Sequence, residues 1–232
     1  MIDIIVDNKL SIQVVRSKRR RKTSSIIISN GLVKVVVPNQ ISDFTIKKLI
    51  NKRMSWIRKK LQDELNMTPI IVKEYVDGES FTYLGNNYQL KYFVGSVTSV
   101  KVTSDYIYVS LPKISKENIK NLLEHWYEEK AIEIMTDKTN SYAKIIGVSP
   151  TAISVGDFKS KWGSCSIEGK ISYNWKIIIA PHKILDYIVI HELCHMLEHN
   201  HSKKYWRHVK TYCNDFKECR KWLKLNGRDL VL

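Results

Sequence analysis

Short alternations of apolar and polar residues fill much of the first half of the chain and predict β-strands. The first series is interrupted at Asn30-Gly31, a dipeptide typical of a tight hairpin turn. A second series is interrupted at Gly85 and at Ser104-Asp105. Together the alternations predict strands over residues 2–6, 11–16, 25–29, 32–37, 81–84, 88–94, 99–103 and 106–111.

Apolar residues three and four positions apart predict two long helices, over residues 43–66 and 115–146. Three more strand candidates follow, and a further helix begins near His182. These strand candidates cover residues 152–155, 159–166 and 170–174. The order of elements indicates the α+β class, with helices on one face of a small antiparallel sheet in the second half. We therefore expect a β-rich N-terminal domain with one helix, residues 1–113, and a second domain, residues 114–232.

The composition, with 44% hydrophobic and 26% charged residues, is that of an ordinary globular protein. No apolar stretch approaches the roughly 20 residues that span a bilayer. The first ten residues include Asp3 and Asp7 and lack the features of a signal peptide. The four cysteines form no C-x-x-C pair, which favours reduced thiols. We expect a cytoplasmic protein without a membrane partner.

The positive charge of the chain is uneven. Residues 1–113 carry 19 lysines and arginines against 9 acidic residues, whereas residues 114–232 carry 19 against 14. Residues 18–22 are all basic. Such an excess attracts nucleic acids, nucleotides and anionic surfaces. A composition rich in Lys, Ile and Asn accounts for the same excess, so a nucleic-acid or nucleotide partner of the N-terminal half is one of two interpretations.

The helix that begins near His182 carries the motif His191-Glu192-Leu193-Cys194-His195. Helical residues four apart lie one above the other, about 6 Å apart, so both imidazoles can reach one ion. His-Glu-x-x-His on a helix is a hydrolase signature in which the histidines bind zinc and the glutamate acts as the base. The sequence therefore predicts one zinc ion on His191 and His195, with Glu192 as the catalytic base.

A catalytic zinc needs a third protein ligand, and four residues compete for this position. On a continuous helix His199 lies about 12 Å from His191, too far to share its ion, and Glu198 fares little better. His201 becomes a ligand if the helix ends near His199-Asn200, with Asn200 in the left-handed conformation, and Ser202 then caps a new helix over residues 203–213. His201 is therefore favoured over the remaining candidates His199, Glu198 and His208.

Several residues near the motif are candidates for contacts with substrate or transition state. Trp162, Gly163 and Ser164 precede the zinc helix and would offer a strand edge to a bound peptide, although simple packing explains them equally well. A developing oxyanion needs a hydrogen-bond donor, and Tyr173, Tyr205 and His208 are candidates. The sequence does not choose among these donors.

The chain resembles the YgjP-like metal-dependent hydrolases, which are related to the SprT and Spartan-type metalloproteases and to minigluzincins. The residues that carry the resemblance are residues 161–166, Asn174-Trp175, Ala180-Pro181, residues 191–195, His201-Ser202 and Tyr205-Trp206. The resemblance implies a zincin-like C-terminal domain with zinc held by three histidines, of which His201 matches the third ligand. It also implies Glu192 as the catalytic base.

Three functions remain open at this stage. The first is a zinc metallopeptidase acting on a protein or peptide substrate, which a glutamate base beside a single zinc favours. The second is a metal-dependent nucleotide phosphohydrolase, which the positive charge favours but which ordinarily needs more carboxylates. The third is a nucleic-acid-associated protein with a structural zinc, which would require a closed site of four ligands.

Overall fold

A computed structural model describes residues 2–6, 10–29, 31–65 and 72–232. The chain divides into two compact units, Met1–Pro69 and Ile70–Leu232. Within the described residues, no helix has both the length and the apolar character needed to cross a membrane.

The first unit is a four-stranded sheet followed by one helix. Its elements are β1 (Ile2–Val6), β2 (Leu10–Ser17), β3 (Ser25–Ser29), β4 (Leu32–Pro38) and α1 (Asp43–Leu65). The strand order is β1-β2-β4-β3, with β2 and β4 parallel and the outer pairs antiparallel. The predicted turn residue Asn30 and the predicted end of α1 at residue 66 lie outside the described residues.

The core of the first unit follows directly from the strand periodicity of two residues and the helical periodicity of three to four residues in its sequence. Alternate residues of β4, Val33, Val35 and Val37, are buried, as are Ile46 and Ile50 one turn apart on α1. Burying a side chain of this size contributes about 1.5–3 kcal/mol. Ile12, Val14 and Ile57 complete the cluster.

The second unit begins with a sheet of the same topology. Its elements are β5 (Ser80–Tyr83), β6 (Asn86–Val94), β7 (Ser99–Val102) and β8 (Tyr106–Leu111), followed by α2 (Lys116–Ile146). The strand order is β5-β6-β8-β7, again with a parallel central pair, β6 and β8. The Ser115 hydroxyl caps α2 by accepting from the Asn118 N–H, and Gly147 ends the helix in the left-handed conformation.

The C-terminal part of this unit holds a three-stranded sheet and the remaining helices. The elements are β9 (Ala152–Gly156), β10 (Gly163–Cys165), β11 (Lys170–Asn174), α3 (His182–Cys194), α4 (Lys203–Tyr212) and α5 (Phe216–Asn226), with 3-10 helices at Trp175–Ile179 and Gly227–Asp229. The strand order is β10-β11-β9, so β10 is an edge strand.

The prediction of an antiparallel sheet in this half is wrong for one of the two strand pairs. β10 and β11 are antiparallel, but β9 and β11 are parallel. After β9 the chain passes to the far side of the sheet, forms the outer strand β10 and returns through β11 in the middle. The alternation pattern specifies strands but carries no information on which neighbours pair.

The turn between β5 and β6 is hydrogen-bonded to the segment that precedes α3. The backbone N–H groups of Leu84 and Gly85 donate to the carbonyls of Ile178 and Ile179, at 2.9 and 3.1 Å. The predicted boundary at residues 113–114 therefore lies inside the second compact unit, between β8 and α2. That residues 114–232 form a separate domain stays a prediction.

Candidate metal centre

The helix α3 places His191 and Glu192 in its last turn and ends at Cys194, with His195 as its C-terminal cap. Beyond this point the turns tighten, since the N–H groups of His195, Met196 and Leu197 donate to carbonyls three residues back. The helix thus ends earlier than the predicted His199-Asn200. Asn200 is not left-handed either, because the positive-φ residues other than glycine in the described ranges are Tyr75 and Leu84.

The tightened turn brings a third imidazole to the first two. Ligand atoms of His191, His195 and His201 all lie within 4.8 Å of one another. The Nε2 atoms of His191 and His201 are 3.2 Å apart. Two ligand nitrogens of a tetrahedral zinc, each at 2.0–2.1 Å from the ion, are separated by about 3.3 Å. The three histidines therefore fit a shared zinc ion.

The competing third ligands lie elsewhere. Among the residues that the structure describes, the histidine group with ligand atoms this close contains neither Glu198 nor His199 nor His208. The Glu198 carboxylate instead accepts from the Asn200 side chain at 2.9 Å and pairs with Lys204 at 3.4 Å. The helix that follows is capped as predicted, with the Ser202 hydroxyl accepting from the Tyr205 N–H.

Hydrogen bonds fix the orientation of two of the imidazole rings. His195 Nδ1 lies 3.3 Å from the Glu198 carbonyl. Since a carbonyl can only accept, the proton of the neutral ring is on Nδ1, and Nε2 keeps its lone pair for a cation. His191 Nδ1 lies 3.4 Å from the Tyr187 hydroxyl, one turn earlier on α3. Such outer partners hold metal-binding histidines in place.

The first residues of α4 support the rings by stacking. The Tyr205 ring stacks on His195 at 4.5 Å between centroids, and Trp206 stacks on His201 at 5.5 Å. Trp206 in turn lies between His201 and Phe216, which stacks on it at 5.3 Å, and the Arg220 guanidinium is 4.4 Å from the Trp206 centroid. The exposed His201 side chain is therefore held by a layer of aromatic rings.

The Tyr205 hydroxyl has a second role at the end of α3. It donates to the His191 carbonyl at 2.9 Å. In a regular helix the His195 N–H would bond this carbonyl, but it donates to the Glu192 carbonyl instead. Tyr205 thus supplies the hydrogen bond that the tightened turn removes.

Glu192 is buried, with 4% of its surface exposed, and lies against the first residue of the edge strand β10. A Cβ atom added to Gly163 would be 2.5 Å from its Oε1 atom and 2.7 Å from its Cγ atom. Among the protein groups alone, burial raises the pKa of the Glu192 carboxyl to about 8, and the positive charge of Lys161 opposes this rise. Burial and the neighbouring His195 lower the pKa of His191 to about 3.

The other predicted contact residues differ in burial and in hydrogen bonding. Ser164, on β10, accepts a hydrogen bond from Lys161 at 2.8 Å, and Trp162 packs against Gly227. Tyr173 is fully buried, and its hydroxyl is hydrogen-bonded to Thr139 at 2.9 Å. The hydroxyls of Tyr173 and Tyr205 are therefore both engaged within the protein. His208 lies on α4, partly exposed, one turn beyond Tyr205.

Sequence reasoning assigned no supporting role to Tyr187, Lys161 or Trp206. Tyr187 is four residues before His191, so helical spacing alone would have indicated the contact. Lys161 and Trp206 reach the site from other elements. Nothing in their local sequence indicates that Trp206 stacks on His201 or that the charge of Lys161 acts on Glu192.

Comparison with known proteins gives a family match and two partial structural likenesses. A family model described as "YgjP-like, metallopeptidase domain" matches residues 22–226. The metallopeptidase zymogen abylysin of Pyrococcus abyssi is 22% identical, over 39% of this chain and 94% of that chain, with a TM-score of 0.34. The zymogen jannalysin of Methanocaldococcus jannaschii is 23% identical, over 40% and 95%, with a TM-score of 0.35. No match was found among curated proteins. The range matched by the family model includes all three histidines and Glu192.

Proposed function

The chain belongs to the YgjP-like family of metallopeptidase domains, and from this premise we propose that it hydrolyses peptide bonds at a zinc ion held by His191, His195 and His201. The observation that carries the proposal is the convergence of three imidazoles beside a buried glutamate. Three protein ligands leave a fourth position for water or substrate, which is the arrangement of catalytic rather than structural zinc.

The geometry of the three histidines leaves ring nitrogens available to bind the ion. The Nε2 atom of His195 is free to bind a cation because the Nδ1–H group donates a hydrogen bond to the Glu198 carbonyl. The Nε2 atoms of His191 and His201 lie 3.2 Å apart, a separation at which both can bind one cation. A zinc ion bound here supplies Lewis acidity, both for the activation of water and for the polarisation of the attacked carbonyl.

We propose that Glu192 transfers the proton of the attacking water to the leaving group. It is not one of the three ligands, but it directly follows His191 in sequence and lies against the edge strand β10. From this position its carboxylate accepts a proton from the attacking water and returns it to the amine of the leaving peptide. Its contact with Gly163 holds the carboxylate in one place.

The edge strand β10 is the proposed place for the peptide substrate. Among the described strands it pairs with β11 alone, so its other edge is available for strand addition. Gly163 and Ser164 would then contact the substrate backbone, next to Glu192, with Trp162 beside them. For the oxyanion, the engagement of the Tyr173 and Tyr205 hydroxyls favours His208 among the three predicted donors.

The other two functions receive less support from the site. No carboxylate joins the three histidines among the ligand groups of the described residues, whereas two-metal phosphohydrolases ordinarily use several. A structural zinc would ordinarily be closed by a fourth ligand, and the group contains three.

The test compares the wild-type protein with Glu192→Gln, which keeps the shape of the side chain and removes its basicity. We expect one zinc per chain in both proteins by elemental analysis, and hydrolysis of unfolded casein by the wild type alone. Nucleoside triphosphates serve as competing substrates. If the wild type hydrolyses triphosphates but not casein, and Glu192→Gln loses that activity while keeping zinc, the peptidase proposal is wrong.

A further inference from the structure

The first compact unit carries most of the net positive charge of the protein. Residues 1–69 contain 15 lysines and arginines but only 5 aspartates and glutamates, a net +10 of the total +15. Acidic residues of the unit can therefore neutralise at most a third of its basic side chains. The ion pair of Arg16 with Asp43, at 2.6 Å, already occupies one of the five. A field of this strength attracts anionic polymers.

Two pockets open on the surface of this unit among its basic residues. One has a volume of about 450 Å³ and is lined by Lys18, Arg20, Arg21, Pro38, Asn39 and Gln40; we name it the Arg20 pocket. The other has a volume of about 400 Å³ and is lined by Ser24, Ile26, Leu49, Arg53 and Trp56; we name it the Trp56 pocket. The first is polar and basic, whereas the second combines a cation with apolar and aromatic walls.

The segment between residues 20 and 25 joins the two pockets. Arg20 lines the Arg20 pocket, and its guanidinium donates to the Ser25 hydroxyl at 2.8 Å. Ser25 directly follows Ser24, which lines the Trp56 pocket. Arg53 and Trp56 are three residues apart on α1, so they lie on one face of the helix. The Arg20 pocket and the Trp56 pocket thus form one continuous surface.

Trp56 is unusually exposed for its type. Its side chain is 42% exposed, although the next residue, Ile57, is completely buried in the core of the unit. Tryptophan is normally well buried, so the core does not account for the position of this ring. An exposed indole beside an arginine offers a flat apolar face next to a positive charge.

We propose that this surface binds single-stranded nucleic acid. A base would stack on Trp56, and phosphates would be bound by Arg53 and by the basic residues of the Arg20 pocket. Proteins that bind single strands combine a positively charged groove with aromatic side chains on which bases stack. A duplex hides its base faces and would leave Trp56 unused. A lipid headgroup would use the charges but offers no planar ring to the indole.

The binding test uses the full chain and a fluorescently labelled 20-nucleotide oligo-thymidine, measured by anisotropy at several salt concentrations. We expect Trp56→Ala to bind about 5-fold or more weakly, because stacking of one base contributes a factor of this size. Trp56→Phe keeps an aromatic ring, so its affinity for the oligonucleotide should fall less than that of Trp56→Ala. Arg53→Gln should weaken binding and reduce the slope of log K against log salt by about 0.7, the contribution of one phosphate contact to a single strand.

Matched controls separate this surface from general charge and from the peptidase proposal. Lys101→Gln removes one positive charge from β7 in the second unit and should bind as the wild type does. Glu192→Gln should also bind the oligonucleotide as the wild type does. Failure of the peptidase proposal would therefore not contradict the proposed nucleic-acid binding. Circular dichroism melting confirms that each variant is folded.

Three results would overturn the proposal. The first is wild-type affinity in both Trp56→Ala and Arg53→Gln. The second is tighter binding to a 20-base-pair duplex that does not depend on Trp56. The third is binding to vesicles containing phosphatidylserine that Trp56→Ala weakens, without binding to the oligonucleotide.

Discussion

Gly163 and Glu192 are in such close contact that a methyl group on the glycine would lie 2.5 Å from the Oε1 atom of the glutamate. The glycine begins the edge strand β10, and the glutamate is in the last turn of α3. The lack of a side chain at position 163 therefore allows the carboxylate to lie directly against the strand edge. This contact joins the two parts of the proposed active site, the catalytic base and the substrate strand.

Replacement of Gly163 by alanine should impair catalysis without removing the metal. The new methyl group must displace the Glu192 carboxylate, and a displacement of about 1 Å in a catalytic group can cost about 100-fold in rate. We therefore expect casein hydrolysis to fall by about this factor, while elemental analysis still finds one zinc per chain.

Gly156 provides the control for this prediction. A Cβ atom there would meet the Phe158 ring at 3.4 Å, which is ordinary contact, and Gly156 is on β9 of the same sheet. Gly156→Ala should retain most of the activity. A Gly163→Ala protein as active as Gly156→Ala would show that the carboxylate does not depend on its contact with the strand.

The identity of the third ligand is tested by two alanine variants two residues apart. His201→Ala removes a nitrogen that lies 3.2 Å from His191 Nε2, and we expect its zinc affinity to fall by more than about 100-fold. His199→Ala removes an exposed side chain outside the histidine group and should retain zinc. Competition with a chromophoric chelator measures both affinities. Loss of zinc in His199→Ala alone would refute the assignment.

The sequence alone places His191 and His195 on one helical face, because their spacing is a property of the helix itself. Residues four apart on α3 must share a face, whatever the rest of the fold does. The third ligand depends on how α3 ends. The structure brings His201 into place by tightened turns after Cys194, not by the left-handed Asn200 that we expected. Hence the sequence analysis favoured the residue that the structure groups with His191 and His195, but for a partly wrong reason.

Contacts between distant elements could not be predicted. The sequence indicates Gly163 only as a candidate residue of a strand edge, and its contact with Glu192 appears only when α3 is packed against β10. The parallel pairing of β9 with β11 is another example, since alternation gives strands but not partners. The same limit applies to Trp56, which has helical spacing with core residues but is 42% exposed.

Tyr205→Phe should destabilise the second unit while leaving the aromatic layer in place. The variant keeps the ring that stacks on His195 but leaves the partly buried His191 carbonyl without its donor. Loss of a hydrogen bond in such a setting costs about 0.5–1.5 kcal/mol. Urea denaturation should show this loss. Tyr212→Phe, on the same helix, is the control, because no hydrogen bond of its hydroxyl occurs within the described residues, and its stability should stay close to that of the wild type.

The turn between β5 and β6 should be as important for stability as any core residue. Gly85 has a φ of +81°, and a Cβ atom there would lie 2.8 Å from Pro181 Cγ and 2.9 Å from Pro181 Cα. Because one of these atoms belongs to the backbone, rotation of a side chain cannot relieve the overlap. Gly85→Ala therefore combines the strain of a positive φ, about 1–2 kcal/mol, with overpacking of about 1–3 kcal/mol.

Gly78 separates these two contributions. Its φ is +80°, almost the same as that of Gly85, but no atom lies within 4 Å of an added Cβ. Gly78→Ala should therefore show the backbone strain alone. In calorimetric melts we expect Gly85→Ala to unfold several degrees below Gly78→Ala, since 1 kcal/mol corresponds to about 2–4 °C in a protein of this size. Equal melting temperatures would mean that the turn moves away from Pro181 at little cost, and that the β5–β8 sheet does not depend on this contact to remain attached to the segment before α3.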